Sequence, residues 1–420
     1  MVSTMGSVIA RQYSSGRTDL TARFDGPGGP VPMTASRRRA VLAVTTAAAI
    51  ALGATACGDT AQSAPSPDAA IQQELDAVTE LGIPGAQLVV TDPDRGTRVL
   101  RAGTGNTATG DPIPDDARAR IGSNTKAFVA TVVMQLVDEG RLDLAASVEQ
   151  YLPGIVTGNG NDGSRVTVRD LLQHTSGLTD YLAPGGAKPE DVKPGQLQIA
   201  TSTEPVGHYT PAELVKIAMS LPPGPAAKDE ATYSNTNYVV LGMLVEKVTG
   251  RPAAEEITTR IIDPLELKDT YFPGSGETQI RGPHARGYHR MGGQQVDVTE
   301  GDVSWADTAG AMVATGADLN TFFAALLRGD LVSQDRLAEM KHTVPFDRGP
   351  KDEYGLGLVH VHSSCGKEIW GHGGGIPGFA TSGGVDANGL AVTLTLNHIP
   401  MSEDSVDAAQ RVVDAAMCAD

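Results

Sequence analysis

The sequence predicts an α/β (α+β) fold: one antiparallel sheet built from both chain ends, flanked by N- and C-terminal helices, with a mainly helical domain inserted between them. Three observations carry this expectation. β-rich segments cluster at residues 85–103 and 367–397, apolar residues at helical spacing fill the middle, and a helix pattern opens and closes the body. A site in such an architecture falls in the cleft between sheet and helices.

The elements follow in chain order. Residues 1–56 read as an export address. "SRRRAVLAVTTAAAIALGATAC" sets three arginines before 17 small and apolar residues and then Cys57. The apolar run is short for a membrane span. Arg38-Arg39 also suits twin-arginine export. "ATAC" resembles a lipoprotein signal, in which Cys57 becomes the lipidated first residue; free secretion is the alternative. Either route predicts an extracytoplasmic protein. Residues 1–32 are polar and Gly/Pro-rich, unusual ahead of a signal, and point to Met33 as the start of translation. Residues 57–68 then form a tether, 69–127 and 300–420 the sheet domain, and 128–299 the helical insertion.

Residues 69–81 read as a short helix. "GAQLVVTD" and "RVLRAG" form a hairpin around the turn "PDRG". Residues 124–138 carry Phe128, Val129, Val132, Val133, Leu136 and Val137 as one stripe of an amphipathic helix. Thr167 with Asp170, and Thr210 with Glu213, are capping boxes, and Pro211 takes a first helical position. "YVVLGMLVEKVTG" and "ADLNTFFAALLRG" are helices stopped by Gly250 and Gly329. "KEIWGHGG" and "GLAVTLTLN" are strands, and a last helix starts near Ser402. Residues 182–209 are Pro/Gly-rich and read as a surface loop.

Charge narrows the partners. The chain carries -17, and residues 1–56 hold six arginines against two aspartates, a net +4, so the remainder carries -21. Such a body is a poor partner for nucleic acid or an anionic membrane surface, which leaves the lipid anchor as the membrane route. Cys365 and Cys418 remain for one disulfide or for two buried thiols. A monomer is expected.

The stretch "IGSNTKAFVA" places Ser123 and Lys126 three apart at a helix start. A serine hydroxyl needs a partner to take its proton, and a residue at i+3 shares its helix face. A helix N-terminus adds free N–H groups for a developing oxyanion. On spacing alone, a helix cap and a solvated lysine are the favoured reading. Ser364-Cys365-Gly366-Lys367 repeats the spacing but sits between strands and reads as accidental. "ATYSNTNYVV" then supplies Tyr233, a proton shuttle when beside an ammonium, and Asn235, an amide able to hold a substrate carbonyl. "WGHGGGIPGF" sets His372 beside glycines that let a substrate lie against a strand edge. Each stretch alone also has a bland reading: a core tyrosine, a helix cap, a Gly-rich turn.

In this order, Ser-x-x-Lys, Tyr-x-Asn and His-x-Gly resemble the serine penicillin-recognising enzymes, in the class C β-lactamase-like branch. "LVDEGRLDLAASVEQYLPG", "HTSGL", "YSNTNYVVLGMLVEKVTG" and "YGLGL" are similar to segments of the D-alanyl-D-alanine carboxypeptidases of that family, over about residues 70–418. The resemblance implies a β-lactamase/transpeptidase-like fold and an exported serine hydrolase. Ser123 would be the acylated nucleophile, Lys126 its base or relay, and Tyr233 the general acid/base. Asn235 would hold the substrate amide, and His372 would give electrostatic support. The N–H groups of Ser123 and Gly375, beside Gly374, would form the oxyanion hole, and Trp305 would line the cleft. It also implies a Cys365–Cys418 disulfide, D-Ala-D-Ala peptides and β-lactams as substrates, and no cofactor or metal.

One departure bears on substrate. The carboxypeptidases bind the free C-terminal carboxylate with an Arg shortly after "YGLGL" and with threonines beside His-x-Gly. Val359, Gly373 and Gly375 stand near those places here. A β-lactamase, a D-amino-acid amidase or an esterase stays open on the same fold. A non-catalytic surface binding protein is the competing class, and loss of Ser123, Lys126 or Tyr233 would be its mark. His174 lacks a nucleophile elbow around any nearby serine and reads as structural. His360 and His362 share a strand face, with no third metal ligand evident.

Overall fold

A computed structural model describes residues 66–183, 192–193, 195–199, 207–224, 226–291, 293–346 and 352–419. The expected signal, Met33 and Cys57 lie outside them, as does much of the 182–209 loop. No helix of the described residues is long and apolar enough to cross a membrane.

The large sheet has nine strands: β1 (Gly85–Asp92), β2 (Gly96–Gly103), β3 (Val344–Pro345), β4 (Glu353–Tyr354), β5 (Val359–His362), β6 (Glu368–Gly371), β7 (Gly374–Ile376), β8 (Phe379–Asp386) and β9 (Ala391–Leu396). The order is β2-β1-β9-β8-β6-β5-β4-β3, all antiparallel, with β7 also on β8. Strand pairing across the two chain ends thus builds one sheet, as the opening and closing patterns predict. Alternation sorts its faces. Ala86, Leu88 and Val90 join Val392, Leu394 and Leu396 in a core completed by α1 (Pro67–Glu80) and α7 (Glu403–Met417). Helix α1 begins earlier than expected, because Ser66 caps it and Pro67 occupies the first turn, where its missing N–H costs nothing. The other face, at Val89 and Thr393, meets α6 (Gly316–Arg328). There Asn320 bonds Val89 O and Ala391 O and accepts from Thr393, which satisfies every polar end it buries.

The helical part is built around α2 (Thr125–Asp138). Its sequence stripe predicts one buried face, yet every residue from Thr125 to Met134 is buried. Small and β-branched residues cover its remaining sides, so neighbours pack all round it. Those neighbours include α3 (Val168–Gln173), α4 (Pro211–Met219) and α5 (Asn235–Thr249), all in one apolar core with Phe128 and Phe322. Both expected capping boxes form, at the starts of α3 and α4. Helices α5 and α6 end at Gly250 and Gly329 as expected. A disulfide joins Cys365, in the turn between β5 and β6, to Cys418 at the end of α7.

Candidate active site

Ser123 sits on a single 3₁₀ turn, Gly122–Asn124, between the short strand Arg118–Arg120 and α2. Gly122 has φ +51°, and a Cβ there would lie 2.8 Å from Gly375 N. A Cβ on Gly374 would lie 1.9 Å from Ile121 O. Only glycine allows two backbones to run this close, so β7 is seated directly against the serine turn. Gly374 and Gly375 therefore stand beside Ser123, where the oxyanion hole is expected.

Ser123 is not a helix cap, since Asn124 holds that position and makes no capping bond through its side chain. The Ser123 hydroxyl instead accepts from Tyr233 Oη at 2.7 Å and from Lys126 Nζ at 3.1 Å. Lys126 is fully buried, which rules out the solvated lysine. Its Nζ also donates to Asn235 Oδ1 at 2.8 Å and to Ala309 O at 2.6 Å. Three acceptors around one nitrogen match the three protons of an ammonium.

Asn235 opens α5, and its orientation is fixed by Asp180. The carboxylate accepts from Asn235 Nδ2 at 2.8 Å and from Asn235 N at 3.0 Å, so Oδ1 must face Lys126. Leu182 N adds a third bond to Asp180 at 2.9 Å. Burial raises the Asp180 pKa, and these N–H groups and the Lys126 charge oppose that rise. Asp180 belongs to no Ser-x-x-Lys, Tyr-x-Asn or His-x-Gly pattern, and its place in the network is visible only in three dimensions.

Tyr233 is held by rings. Its centroid lies 4.4 Å from His174 and 6.1 Å from Phe346, and Lys126 Nζ stands 4.8 Å above its face. His174 is fully buried, in the left-handed region at φ +61° where α3 ends. Its Nδ1 takes the Ser234 N–H at 3.3 Å and faces Asn237 Nδ2 at 2.9 Å. The structural reading of His174 thus gains a location: it backs the tyrosine that touches the serine.

His372 lies between β6 and β7, where His372-Gly373 breaks the chain lining β8 into two strands. Its Nδ1 bonds Gly373 O at 2.5 Å, an atom that only accepts, so Nδ1 carries the proton. Nε2 then accepts from Tyr354 Oη at 3.0 Å. Burial, with the Lys126 charge second, drives the His372 pKa down to about 3. His372 is therefore a neutral imidazole at physiological pH. A neutral ring offers a dipole and a hydrogen bond rather than a charge, because a second buried cation beside Lys126 is too costly.

Trp305 is buried in an apolar cluster with Val303, Ile376 and Phe379, and Leu182 and Leu197 pack on it. Tyr181 Oη donates to Trp305 O at 2.7 Å. Val359 is fully buried on β5 and offers no charge where a carboxylate-binding Arg would serve. Ser364 and Lys367 lie in and beside the β5–β6 turn, bonded to Asp414 and Met417 O, as an accidental match should. A separate cavity of about 780 Å³, lined by Arg169, Gln173, Lys228, Glu339 and His342, contains none of the residues around Ser123. The sequence offered no third ligand for His360 and His362, but the β5–β6 register sets Glu368 opposite His362.

Comparison with known proteins gives a consistent picture. The family model described as Beta-lactamase matches residues 68–417. A D-stereospecific amidohydrolase from Streptomyces sp. superposes with a TM-score of 0.73 at 38% identity, covering 85% of this chain and 100% of that one. D-amino acid amidase from Ochrobactrum anthropi SV3, in a complex with L-phenylalanine amide, superposes with a TM-score of 0.71 at 29% identity, covering 84% and 98%. Penicillin-binding protein 4 of Amycolatopsis lactamdurans is 30% identical over 47% of this chain and 47% of its own. The chain spans about half the length of curated relatives such as this one and protein flp of Staphylococcus aureus.

Proposed function

The chain belongs to the beta-lactamase family of serine hydrolases, and from that premise we propose that it is a D-stereospecific amidohydrolase working through a Ser123 acyl-enzyme. The observation that carries the chemistry is the convergence on one hydroxyl: Tyr233 Oη at 2.7 Å and Lys126 Nζ at 3.1 Å from Ser123 Oγ. The observation that favours an amide over a peptide with a free carboxylate is the apolar Val359, with Gly373 and Gly375, where charged or hydroxyl contacts would be needed. The likeness to a D-stereospecific amidohydrolase and to a D-amino acid amidase supports the same choice.

The steps follow from these groups. The reactive form of the Tyr233–Lys126 pair lacks one proton, as a phenolate beside an ammonium or a phenol beside a neutral amine, and takes the Ser123 proton into that vacancy as Oγ attacks the amide carbon. Negative charge on the carbonyl oxygen is met by the backbone N–H groups of Ser123 and Gly375. Tyr233 Oη passes the proton to the leaving nitrogen, the C–N bond breaks, and ammonia or an amine departs. Water then attacks the ester, its proton returns by the same route, and the acid leaves with Ser123 restored. Asn235, oriented by Asp180, holds Lys126 and the substrate amide in register. Trp305 and its apolar neighbours offer a wall for a hydrophobic side chain. Export to an extracytoplasmic site, with or without a lipid on Cys57, is part of this proposal.

A D-Ala-D-Ala carboxypeptidase is the second reading, favoured by the motif set and by the penicillin-binding relative. One experiment separates the candidates. The protein and its Ser123→Ala variant are incubated with D- and L-phenylalanine amide, an acylated D-Ala-D-Ala peptide and benzylpenicillin, with product release and intact mass followed. Ammonia from the D-amide, at least about tenfold faster than from the L-amide and absent in Ser123→Ala, is the expected result. Release of D-Ala instead returns the carboxypeptidase, and rapid penicillin loss returns a β-lactamase. No turnover and no adduct with any of them would leave a binding role.

A further inference from the structure

We propose that the β4–β5–β6 face of the sheet carries a binding site for a zinc-class divalent cation, formed by His360, His362 and Glu368. This site lies outside the residues assigned to Ser123 chemistry and does not depend on the substrate proposed above. Donor atoms of the three residues all lie within 4.8 Å of one another. The fold brings them together by register: His360 and His362 share one face of β5, and β6 sets Glu368 directly opposite His362. Two imidazoles and a carboxylate form a donor set suited to zinc and the later divalent metals, with a fourth position left for water.

Two further observations point to a ligand. Glu353 on β4 is paired with His360 in register, and its Oε2 lies 3.0 Å from His360 Nδ1. A carboxylate on one ring nitrogen fixes the tautomer and orients the other nitrogen toward a metal. That other nitrogen, Nε2, is buried and has no hydrogen-bond partner among the described residues. A buried, unsatisfied imidazole nitrogen is costly unless something binds it. The His360 ring is further held by stacking on Trp370, with centroids 4.3 Å apart.

Metal bonds of about 2.0–2.1 Å would draw the donors closer than they now stand. His362 and Glu368 are exposed and have the rotamer freedom to close that gap. The turn between them is held to α7 by the Cys365–Cys418 disulfide, which limits splaying of the hairpin. Lys341 is the opposing charge: its Nζ stands 5.3 Å from the Trp370 ring and is attracted to Glu368. A bound cation would weaken that attraction. It would also clamp β4, β5 and β6, the strands that carry Tyr354 and lead into His372.

The test is a zinc titration of the purified, EDTA-stripped protein against a chromophoric chelator of known affinity, with the unfolding midpoint read in parallel. One zinc per chain, bound with a Kd of micromolar order or tighter and raising the midpoint, is expected. His362→Gln alters an exposed ligand and should weaken zinc binding at least about tenfold; Glu353→Gln should weaken it about 10–100-fold by releasing the His360 ring. His342→Gln, an exposed imidazole outside the cluster, should leave it unchanged. Zinc bound as tightly by His362→Gln as by the wild type, or no binding below about 100 µM, would overturn the proposal.

Discussion

Replacing Tyr233 by Phe isolates one hydroxyl in the Ser123 network. The ring would keep its contacts with His174 at 4.4 Å and Phe346 at 6.1 Å, and its face toward Lys126. The hydrogen bond of 2.7 Å to Ser123 Oγ is lost. One such bond contributes about 1 kcal/mol net to stability, or roughly 1–2 °C in the midpoint of a body this size. Its part in the proposed reaction is larger, because that mechanism has Tyr233 Oη carry the proton to the leaving nitrogen. A positioned acid–base group is worth about 10²–10⁴-fold, or roughly 3–5 kcal/mol of barrier. Single-turnover acylation by an activated D-phenylalanine ester and by the corresponding amide measures this. The amide rate should fall by that factor, and the ester rate by less, since its leaving group needs less protonation. An amide rate within about threefold of wild type would refute the role given to Tyr233.

Three other outcomes are expected. Asp180→Asn faces amide protons toward three N–H donors; it should cost about 1–3 kcal/mol of stability and lower acylation about 10²-fold by shifting Asn235 and Lys126, and a wild-type rate would remove Asp180 from the network. The His372 pKa of about 3 lies below its ordinary 6.5, so its contribution to stability is complete above about pH 6.5 and declines as pH falls toward 3. The slope is up to about 1.4 kcal/mol per pH unit, because the unfolded chain takes up a proton that the folded one refuses. Urea titrations from pH 7 to 4 should show this slope flattened in His372→Asn, and equal slopes would contradict it. Replacing Cys365 and Cys418 by Ser frees a loop of 53 residues and should cost about 4 kcal/mol; an unchanged urea midpoint would count against it.

Much of the fold is legible in the sequence because local signals agree with it. Strand β1 matches its β-rich segment residue for residue, and Thr167, Thr210 and Ser402 cap the helices that their patterns announce. Ser123, Lys126, Tyr233, Asn235 and His372 are legible for another reason: each sits in a short motif. Their supporting residues do not. Asp180, His174 and Tyr354 touch the site across sequence separations of 55, 60 and 18 residues, and no local pattern marks such partners. Helix α2 shows the same limit in its packing, since periodicity reveals one buried stripe but not neighbours on every side. Glu368 escaped notice as a third ligand because strand register, not spacing, brings it to His362.

Gly85 N donates to Asn397 Oδ1 at 2.7 Å across 312 residues of sequence, and that single bond sets a timetable. Strand β1 has no partner on its β9 side until nearly the whole chain has been made, and contacts at such separation form late. The wall that Gly374 and Gly375 raise against the Ser123 turn belongs to the same late-arriving segment. A nascent chain therefore carries Ser123, Lys126 and Tyr233 long before it can use them. The cluster around Ser123 is thus completed only as the sheet closes.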